Sequence, residues 1–523
     1  MYSESETTGP TKSSSPPVEV ELKLVTDAEG ISALAETPVL GGRPTVRRIE
    51  STYYDTADRR LAGRGIALRV RKVGRRYIQT IKTAGKGSAG GLSRRGEWEW
   101  PVTSATPDLS VIDDHAVVGM LGLIRPNELR AVYSTKVRRS THILRLADTT
   151  IELALDDGEI VAGSRRQPLH EVELELQEGD IERLYEVALD LHYQHPLGID
   201  PRSKAARGEA LAADSAPAPR FQSPVDLPPD VTVDDGLAAM LGDCLTQWTE
   251  NLPAALDGTD PEGIHQARVA LRRLRSAVQL FRPVIGAADH TSLKNQVRDI
   301  AGAMGPARDL DVFIDEILGP VAAAMPDDQS LVLLGKAAET LRQNGYQQAH
   351  TALAGPQATE MALRVGHWIA TRGWRQQPYS PMVEWLDRPM VDLADKLLHK
   401  RLRAVLKRGR GFKGLPEAER HEVRIATKKL RYAVDFCSPL YEARSTKSFF
   451  KQLKRLQTLL GHLQDQAMAA SVLGQLESEE QGPDLARAIG LVSGWHAHAM
   501  TTLAAETNAE WNAFTKTKPF WHE

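Results

Sequence analysis

The seven residues VEVELKL, numbered 18–24, alternate charged and aliphatic side chains. Successive side chains of a strand point to opposite faces, so Glu19, Glu21 and Lys23 share one face and the aliphatic residues share the other. One such strand is typical of a sheet with a solvated charged face. The segment therefore predicts an antiparallel strand, and the segments around it decide where the charged face points.

Four further segments repeat this alternation, at residues 66–72, 76–82, 149–155 and 171–177, and turn signals such as Asp157-Gly158 separate them. The polar faces carry Glu171, Glu173 and Glu175; Arg69 and Arg71; Lys82; Arg95, Glu97 and Glu99 opposite Trp98 and Trp100; and a basic pair at Arg138 and Arg139. A barrel with a polar interior explains all of these faces together, because inward positions alternate with apolar outward positions.

Such an interior requires ligands. Converging carboxylates raise one another's pKa values unless a cation neutralises them, and Mg²⁺ or Mn²⁺ prefers carboxylate oxygens, water and phosphate. Clustered arginine and lysine side chains, in turn, suit the oxygens of a polyanion. Carboxylates with a metal beside a basic set indicate a phosphoryl-transfer site.

An ordered series of motifs resembles the CYTH family, the triphosphate tunnel metalloenzymes, over residues 17–212. The series consists of EVELK (19–23), YYDT (53–56), LRVR (68–71), TIK (80–82), RGEWE (95–99), ALDDGEI (154–160), EVELEL (171–176) and SKAARG (203–208). The resemblance implies an eight-stranded antiparallel barrel, open as a tunnel, that acts on triphosphate compounds with Mg²⁺ or Mn²⁺.

Position by position, the resemblance implies that Glu19 and Glu21 are metal ligands, with Glu173 and Glu175 completing the metal site or holding the attacking water. The implied substrate-binding cations are Lys23, Arg69, Arg71, Lys82, Arg138, Arg139 and Lys204, and the implied catalytic residues are Glu173, Glu175 and Lys204. Because Arg138 and Arg139 are adjacent, only one can face inward. Asp156 shares the polar parity of its segment, although the Asp157-Gly158 turn signal leaves its role open.

Length and composition limit the number of domains and the class of protein. A chain of 523 residues predicts two to four domains at about 100–200 residues each. A formal net charge of -3 argues against a generally basic nucleic-acid binder, and two cysteines cannot build a disulfide framework. We expect a cytoplasmic protein without a membrane span, a disordered tail at residues 1–16 and a proline-rich linker at residues 213–230.

After the linker the chain becomes helical and contains a repeat. HQARVALRRLRSAVQLF begins at His265 and HEVRIATKKLRYAVDFC begins at His421, an offset of 156 residues with seven identities in seventeen positions. The agreement predicts a duplicated, all-α helical bundle over residues 231–515. The overall fold class is therefore α+β multidomain, with an antiparallel barrel and flanking helices followed by this bundle.

Each repeat carries a basic stripe at helical spacing. The stripes consist of His265, Arg268, Arg272 and Arg275, and of His421, Arg424, Lys428 and Arg431. Stacked like charges destabilise a helix unless something neutralises them. The stripes, the duplication and the segments ARDLDVF and HLQDQ resemble the CHAD family, which implies two related bundles with a basic groove for inorganic polyphosphate. No aromatic residues interleave with the stripes, which argues against binding of single-stranded nucleic acid.

We therefore predict a metal-dependent inorganic triphosphatase that hydrolyses tripolyphosphate to diphosphate and phosphate, joined to a polyphosphate-binding domain. Two enzymatic alternatives share the fold: a thiamine or nucleotide triphosphatase, which needs an aromatic platform from residues such as Trp98, Trp100 or Tyr77, and an adenylate cyclase. A third alternative is a non-catalytic polyphosphate-binding scaffold. The sequence leaves open the choice between Mg²⁺ and Mn²⁺, the oligomeric state, and any regulation of the barrel by the helical domain.

Overall fold

The computed structural model describes residues 18–85, 89–376, 383–479 and 482–521. The tail expected at residues 1–16 lies outside the described residues. The chain divides into two compact units, one containing the residues up to 197 together with 201–215, and the other containing residues 198–200 and the chain from 216 onward. The fold class predicted from the sequence is confirmed, since the first unit is a barrel and the second is helical.

The first unit is a closed antiparallel barrel with strand order β1-β5-β4-β3-β2-β6-β7-β8. Its strands are β1 Val18–Val25, β2 Thr45–Asp55, β3 Ile66–Val73, β4 Arg76–Thr83, β5 Leu92–Val102, β6 Arg130–Leu146, β7 Thr149–Ala162 and β8 Arg165–Glu178. The barrel closes because β1 pairs with β5 on one side and with β8 on the other. Four helices flank it: α1 Ala28–Ala35, α2 His115–Leu121, α3 Glu182–Gln194 and α4 Lys204–Ala213.

The turn expected at Asp157-Gly158 is absent, because both residues lie inside β7. Gly158 pairs with Val137 of β6 and Leu169 of β8. A Cβ atom at Gly158 would lie 2.0 Å from the backbone oxygen of Lys136. Glycine serves here for close strand approach and not for chain reversal, and Asp156 is consequently held in a regular strand.

The second unit is helical. Its helices are α5 Val233–Asp257, α6 Pro261–Leu280, α7 Arg282–Ile285, α8 Ala287–Ala303, α9 Gly305–Val312, α10 Gly319–Ala324, α11 Gln329–Ala354, α12 Pro356–Ala370, α13 Met390–Arg408, α14 Glu417–Cys437, α15 Ala443–Glu479 and α16 Pro483–Phe514. The 156-residue offset relates α5 and α6 to α13 and α14, since α6 and α14 begin 156 residues apart, at Pro261 and Glu417.

Most of the expected linker packs on the second unit instead of forming a free spacer. Residues 216–230 contain no helix or strand, yet Val225 and Leu227 are buried. The backbone of Arg220 donates to Asn251 Oδ1 at 2.9 Å and its carbonyl accepts from Asn251 Nδ2 at 2.9 Å. In the described part of the chain, no helix combines the length and apolar character that a membrane crossing needs.

Candidate functional site

Strand parity places the polar residues inside the barrel. Arg139 of β6 faces inward with a partly buried side chain, whereas Arg138 is exposed on the outer surface opposite Arg48. The structure thus corrects the assignment of Arg138 as a tunnel residue, because neighbouring residues of one strand point to opposite sides.

Three carboxylates from two adjacent strands converge in the interior. Asp156 of β7 and Glu171 and Glu173 of β8 offer oxygens that all lie within 4.8 Å of one another. Lys204 Nζ lies 2.9 Å from Asp156 Oδ2 and 2.6 Å from Glu171 Oε2, and also contacts Glu173. Arg139 donates through Nε to Asp156 Oδ1 at 2.7 Å. Asp156 and Glu171 are fully buried and cannot be solvated by water. Their negative charge is therefore neutralised mainly by the cations of the site, Lys204 and Arg139.

Helix α4 positions Lys204. The helix starts where Ser203 Oγ accepts a hydrogen bond from the backbone of Ala206 at 3.1 Å, an N-cap that places Lys204 at the first helical position. Tyr133 of β6 donates to the carbonyl of Ala205 at 3.0 Å, and Gly208 packs directly on the Tyr133 ring. The helix is therefore fixed to the barrel wall, and its first turn reaches the carboxylates.

A second cluster of charged side chains forms around Glu19 and Glu21 of β1. Arg95 of β5 donates through Nε to Glu19 and through Nη2 to Glu21, each at 2.6 Å, and Lys82 Nζ donates to Glu19 at 3.0 Å. Although burial alone would raise it, the charges of Lys82 and Arg95 hold the pKa of Glu19 at about 2. Arg95 therefore bridges the two carboxylates that the sequence indicated as metal ligands.

Two carboxylates of the interior have raised pKa values. Burial and then the charge of Glu173 raise the pKa of Glu21 to about 7, and burial followed by the charges of Glu19 and Glu152 raises the pKa of Glu175 to about 7. Glu21 lies directly across from Glu175 in the β1–β8 register. Oxygen-only ligands that repel one another in this way are the donor set a hard divalent cation would neutralise. The residues present therefore fit a Mg²⁺ or Mn²⁺ site.

Three of the expected substrate-binding cations, Arg69, Arg71 and Lys82, lie on β3 and β4. Arg69 Nη2 lies 3.4 Å from Glu97, Arg71 Nη2 lies 3.8 Å from Glu99, and Lys82 also lies 2.8 Å from Glu97. The positive charge of Arg69, with burial, lowers the pKa of Arg71 to about 10. Such crowding of cations favours binding of an anion, which would relieve it.

Lys23 has a different environment from the other cations. It is buried, it lies across from Glu173 in the β1–β8 register, and its ammonium donates to the backbone carbonyl of Arg202.

Two residues of the site, Arg95 and Arg207, had no role predicted from the sequence. Arg95 was placed on the polar face of its strand, but its role as the bridge between Glu19 and Glu21 depends on the β1–β5 register. Arg207 donates to Glu171 Oε1 at 2.9 Å and to the carbonyl of Pro168 at 2.8 Å. In the sequence, Arg207 follows Lys204 by three residues, a spacing that places both side chains on one face of a helix. This spacing was the sequence signal that could have predicted a role for Arg207.

The tryptophans lie outside the barrel. Trp98 donates to Asp114 Oδ2 at 3.0 Å and Trp100 donates to Asp113 Oδ1 at 2.9 Å. Both rings pack in a hydrophobic cluster with residues of α2 such as Val117. Tyr77 shares the outward parity of Ile81, which is buried in the same cluster. None of these three rings can therefore serve as a platform inside the tunnel.

In the second unit the two basic stripes come together, because α6 packs against α14. Burial, followed by the charges of Arg272, Arg424, Arg275 and Arg431, lowers the pKa of Lys428 to about 7. The cations that lower the pKa of Lys428 therefore come from both helices, as expected of a basic groove that α6 and α14 share.

The other stripe residues differ in how they are satisfied. Burial and the charges of Arg308, Arg272 and Arg268 lower the pKa of His265 to about 4, so its ring is neutral at pH 7. Arg268 donates to the carbonyl of Ala301 at 2.9 Å. Arg431 Nη1 lies 2.8 Å from Asp435 one turn later. Arg275 and His421 are exposed.

Comparison with known proteins assigns both units to families. Residues 18–208 match the CYTH domain, and residues 239–474 match the CHAD domain. The chain therefore carries a CYTH domain followed by a CHAD domain.

Individual relatives agree with this assignment. The chain is 30% identical over 200 residues to an inorganic triphosphatase of Haemophilus influenzae, a match that covers 37% of this chain and 55% of that protein. The chain thus spans about half the length of that relative. It is 24% identical over 504 residues to an uncharacterized protein of Mycobacterium tuberculosis, covering 87% of this chain and 88% of that protein. The crystal structure of the CHAD domain from the plant Ricinus communis is 28% identical with a TM-score of 0.51, covering 58% of this chain and 98% of that domain.

Proposed function

We propose that the barrel is a metal-dependent triphosphatase that hydrolyses tripolyphosphate to diphosphate and phosphate. The observation that carries the proposal is that one barrel interior holds buried carboxylates from β1, β7 and β8 together with Arg69, Arg71 and Lys82 from β3 and β4. The similarity to the inorganic triphosphatase of Haemophilus influenzae supports it. Glu19, Glu21, Glu173 and Glu175 would hold the metal, with Asp156 and Glu171 beside them.

A bound divalent cation would neutralise charge on the phosphate oxygens and so favour attack by water. In this chain Arg69, Arg71, Lys82 and Arg139 bind and orient the phosphate oxygens. Lys204 positions Glu173 and counters the charge of the carboxylate cluster. Glu175, which lies across from Glu21 in the β1–β8 register, would complete the metal site or orient the attacking water and accept its proton. The bond between two phosphate groups breaks, and the departing diphosphate carries away the bridging oxygen.

The interior supports an inorganic substrate over an organic one. Thiamine or adenine needs a flat partner on which to stack, and Trp98, Trp100 and Tyr77 all face away from the interior. The inward Tyr53 and Tyr133 stack on each other with ring centroids 4.7 Å apart. Both rings are buried, so their faces are taken up by each other and by α4.

For the helical unit we propose binding of inorganic polyphosphate in the groove between the α6 and α14 stripes. A charge-only groove suits a ligand that is charge throughout, and the lowered pKa of Lys428 shows how crowded these cations are. We also propose a cytoplasmic location, consistent with two cysteines that are both buried and unpaired.

Phosphate release from tripolyphosphate, thiamine triphosphate, ATP and long-chain polyphosphate, each with Mg²⁺, with Mn²⁺ and with chelator, tests the proposal. We expect tripolyphosphate to be preferred and chelator to abolish release. Glu21→Gln should lower kcat by about 100-fold or more, as expected when an electrostatic contributor is removed. A protein that binds tripolyphosphate equally with and without metal and releases no phosphate would be a scaffold.

Two adjacent arginines provide a matched control. Arg139→Gln removes an inward cation that contacts Asp156 and Glu173, and we expect about a 100-fold loss of kcat/KM. Arg138→Gln removes the same charge from the outer surface, and activity should change by less than about twofold because exposed charges are screened. Equal losses in the two variants would contradict the interior site.

A further inference from the structure

The structure contains a third basic stripe, on a helix to which no function is assigned. Residues 396–413, on α13 and the loop after it, contain eight Lys and Arg residues and no Asp or Glu. Lys396, Lys400, Arg403 and Lys407 follow one another at spacings of four, three and four residues, so they align along one face of the helix for about 16 Å. All four are exposed.

Intramolecular partners do not explain this charge. Among the residues that the structure describes, Lys400, Arg403 and Lys407 form no ion pair with a carboxylate. Lys396 lies over the ring of Trp385, 3.9 Å from its centroid. Like charges spaced at i and i+4 on a helix repel one another and destabilise it, so the stripe carries a folding cost.

The duplication provides an internal reference for this helix. The 156-residue offset relates residues 396–413 to residues 240–257, which contain no Lys or Arg and three acidic residues. The four stripe positions correspond to Met240, Cys244, Gln247 and Asn251, which are 0–4% exposed. In the first repeat α5 packs against α6, α11 and α12, whereas α13 packs chiefly against α14. The same helical face is therefore covered in one repeat and exposed and cationic in the other.

The α13 stripe (Lys396, Lys400, Arg403 and Lys407) is separate from the groove yet has cationic neighbours on α14. Lys429, beside the groove residue Lys428, is exposed, and after burial the charges of Arg401 and Arg408 of α13 lower its pKa. Arg401 donates to the carbonyl of Gln279 at the end of α6. Cations therefore extend across α14 to α13 and beyond the paired α6 and α14 stripes.

We propose that the α13 stripe is a second polyanion site, an exosite for inorganic polyphosphate chains too long for the groove. This rests on the proposed polyphosphate binding by the helical unit and extends it to chain length. The four stripe side chains are ammonium and guanidinium groups, and the aromatic ring beside them, Trp385, is already covered by Lys396 and Arg388. A ligand made entirely of phosphate therefore fits the stripe better than nucleic acid, whose bases need free rings or amide groups.

The test measures binding of short-chain and long-chain polyphosphate to the full-length protein across a salt series. The stripe variant replaces all four residues with glutamine, which preserves helix propensity. Its matched control removes four exposed cations elsewhere: Lys72, Arg75, Arg76 and Lys336. A groove variant, Arg272→Gln with Lys428→Gln, reports on the groove separately, and circular dichroism verifies that each protein is folded.

We expect the stripe variant to lose at least about tenfold in affinity for long chains, and the dependence of log K on log salt to become shallower by about 3, since each phosphate contact contributes about 0.7. Short-chain affinity and the control should be unchanged. Unchanged long-chain affinity, an equal loss for short chains, or an equal loss in the control would each overturn the exosite.

Other outcomes separate the exosite from the groove. If the groove variant binds both lengths like the wild type while the stripe variant loses long chains, the groove proposal fails and the exosite stands. If the wild type binds neither length, both proposals fail. Single-stranded DNA that displaces long-chain polyphosphate from the groove variant at equal phosphate concentration would overturn the assignment of inorganic polyphosphate as the ligand.

Discussion

At the scale of single residues, Lys428 shows how the groove would respond to a ligand. Its pKa of about 7 lies below the ordinary range because burial and four neighbouring arginines disfavour the ammonium. In the free protein the group loses its proton near neutral pH, whereas an unfolded lysine keeps it to much higher pH. A bound polyanion favours the ammonium and raises this pKa again.

Polyphosphate binding above about pH 7 should therefore take up a proton at Lys428, and affinity should fall as pH rises from about 7 to 9. Titration calorimetry in two buffers of different ionisation enthalpy measures this uptake. Lys428→Arg keeps the charge at every pH in this range and should remove the uptake, while protonation of polyphosphate itself is common to both proteins. Identical proton uptake by the variant and the wild type would contradict the assignment.

The sequence alone assigns some of the site residues to the barrel interior but not all of them. The alternation of polar and apolar residues placed Glu19, Glu21, Glu173 and Glu175 on polar strand faces. It could not choose between Arg138 and Arg139, because either parity is compatible with an isolated basic pair. The choice depends on which face of β6 points into the barrel, where Arg139 donates to Asp156 of β7.

At the scale of secondary-structure elements, α4 links the barrel wall to the carboxylate cluster. Gly208 lies against Tyr133, and a Cβ atom at that position would lie 2.2 Å from two ring carbons. The Tyr133 ring is stacked on the Tyr53 ring, so it cannot move away freely to make room for an added Cβ atom. Any larger residue at position 208 must therefore push the helix, and Lys204 with it, away from the barrel.

Gly208→Ala should lower the free energy of unfolding by about 1–3 kcal/mol, the cost of overpacking, and lower kcat as Lys204 is displaced. Thermal unfolding and phosphate release measure the two effects. Gly242→Ala in α5 is the control, since nothing lies within 4 Å of its added Cβ and alanine favours a helix by about 1 kcal/mol. Full stability and full activity in Gly208→Ala would show that α4 is not clamped in this way.

At the scale of the whole molecule, the net charge of -3 conceals a separation of charge. The barrel holds its proposed substrate-binding cations inside, beside carboxylates, whereas the helical unit carries its proposed polyphosphate-binding cations in the groove and on α13. Salt screens exposed charges far more than buried ones. The two activities we propose should accordingly differ in their response to ionic strength.

Raising salt from about 0.05 to 0.2 M should weaken polyphosphate binding in the groove by about 300-fold, because roughly six cations at about 0.7 per contact give a salt slope of about 4. KM for tripolyphosphate should rise by less than about tenfold over the same range, because Arg69, Arg71 and Lys82 are largely buried. Binding isotherms and initial rates on one preparation make the comparison. Equal salt slopes would indicate that both ligands occupy the same exposed site.

The order of residues along the chain dictates everything that depends on local periodicity. A period of two assigns faces to the strands, a period of 3.6 assigns stripes to the helices, and the 156-residue offset indicates the duplication. These features predict a polar barrel and a basic helical bundle. They do not reveal which faces meet, because strand register and helix packing join residues far apart in sequence. The bridge from Arg95 to Glu19 and Glu21, the enclosure of Lys204 by three carboxylates, and the exposure of α13 where α5 is covered all arise from that long-range assembly.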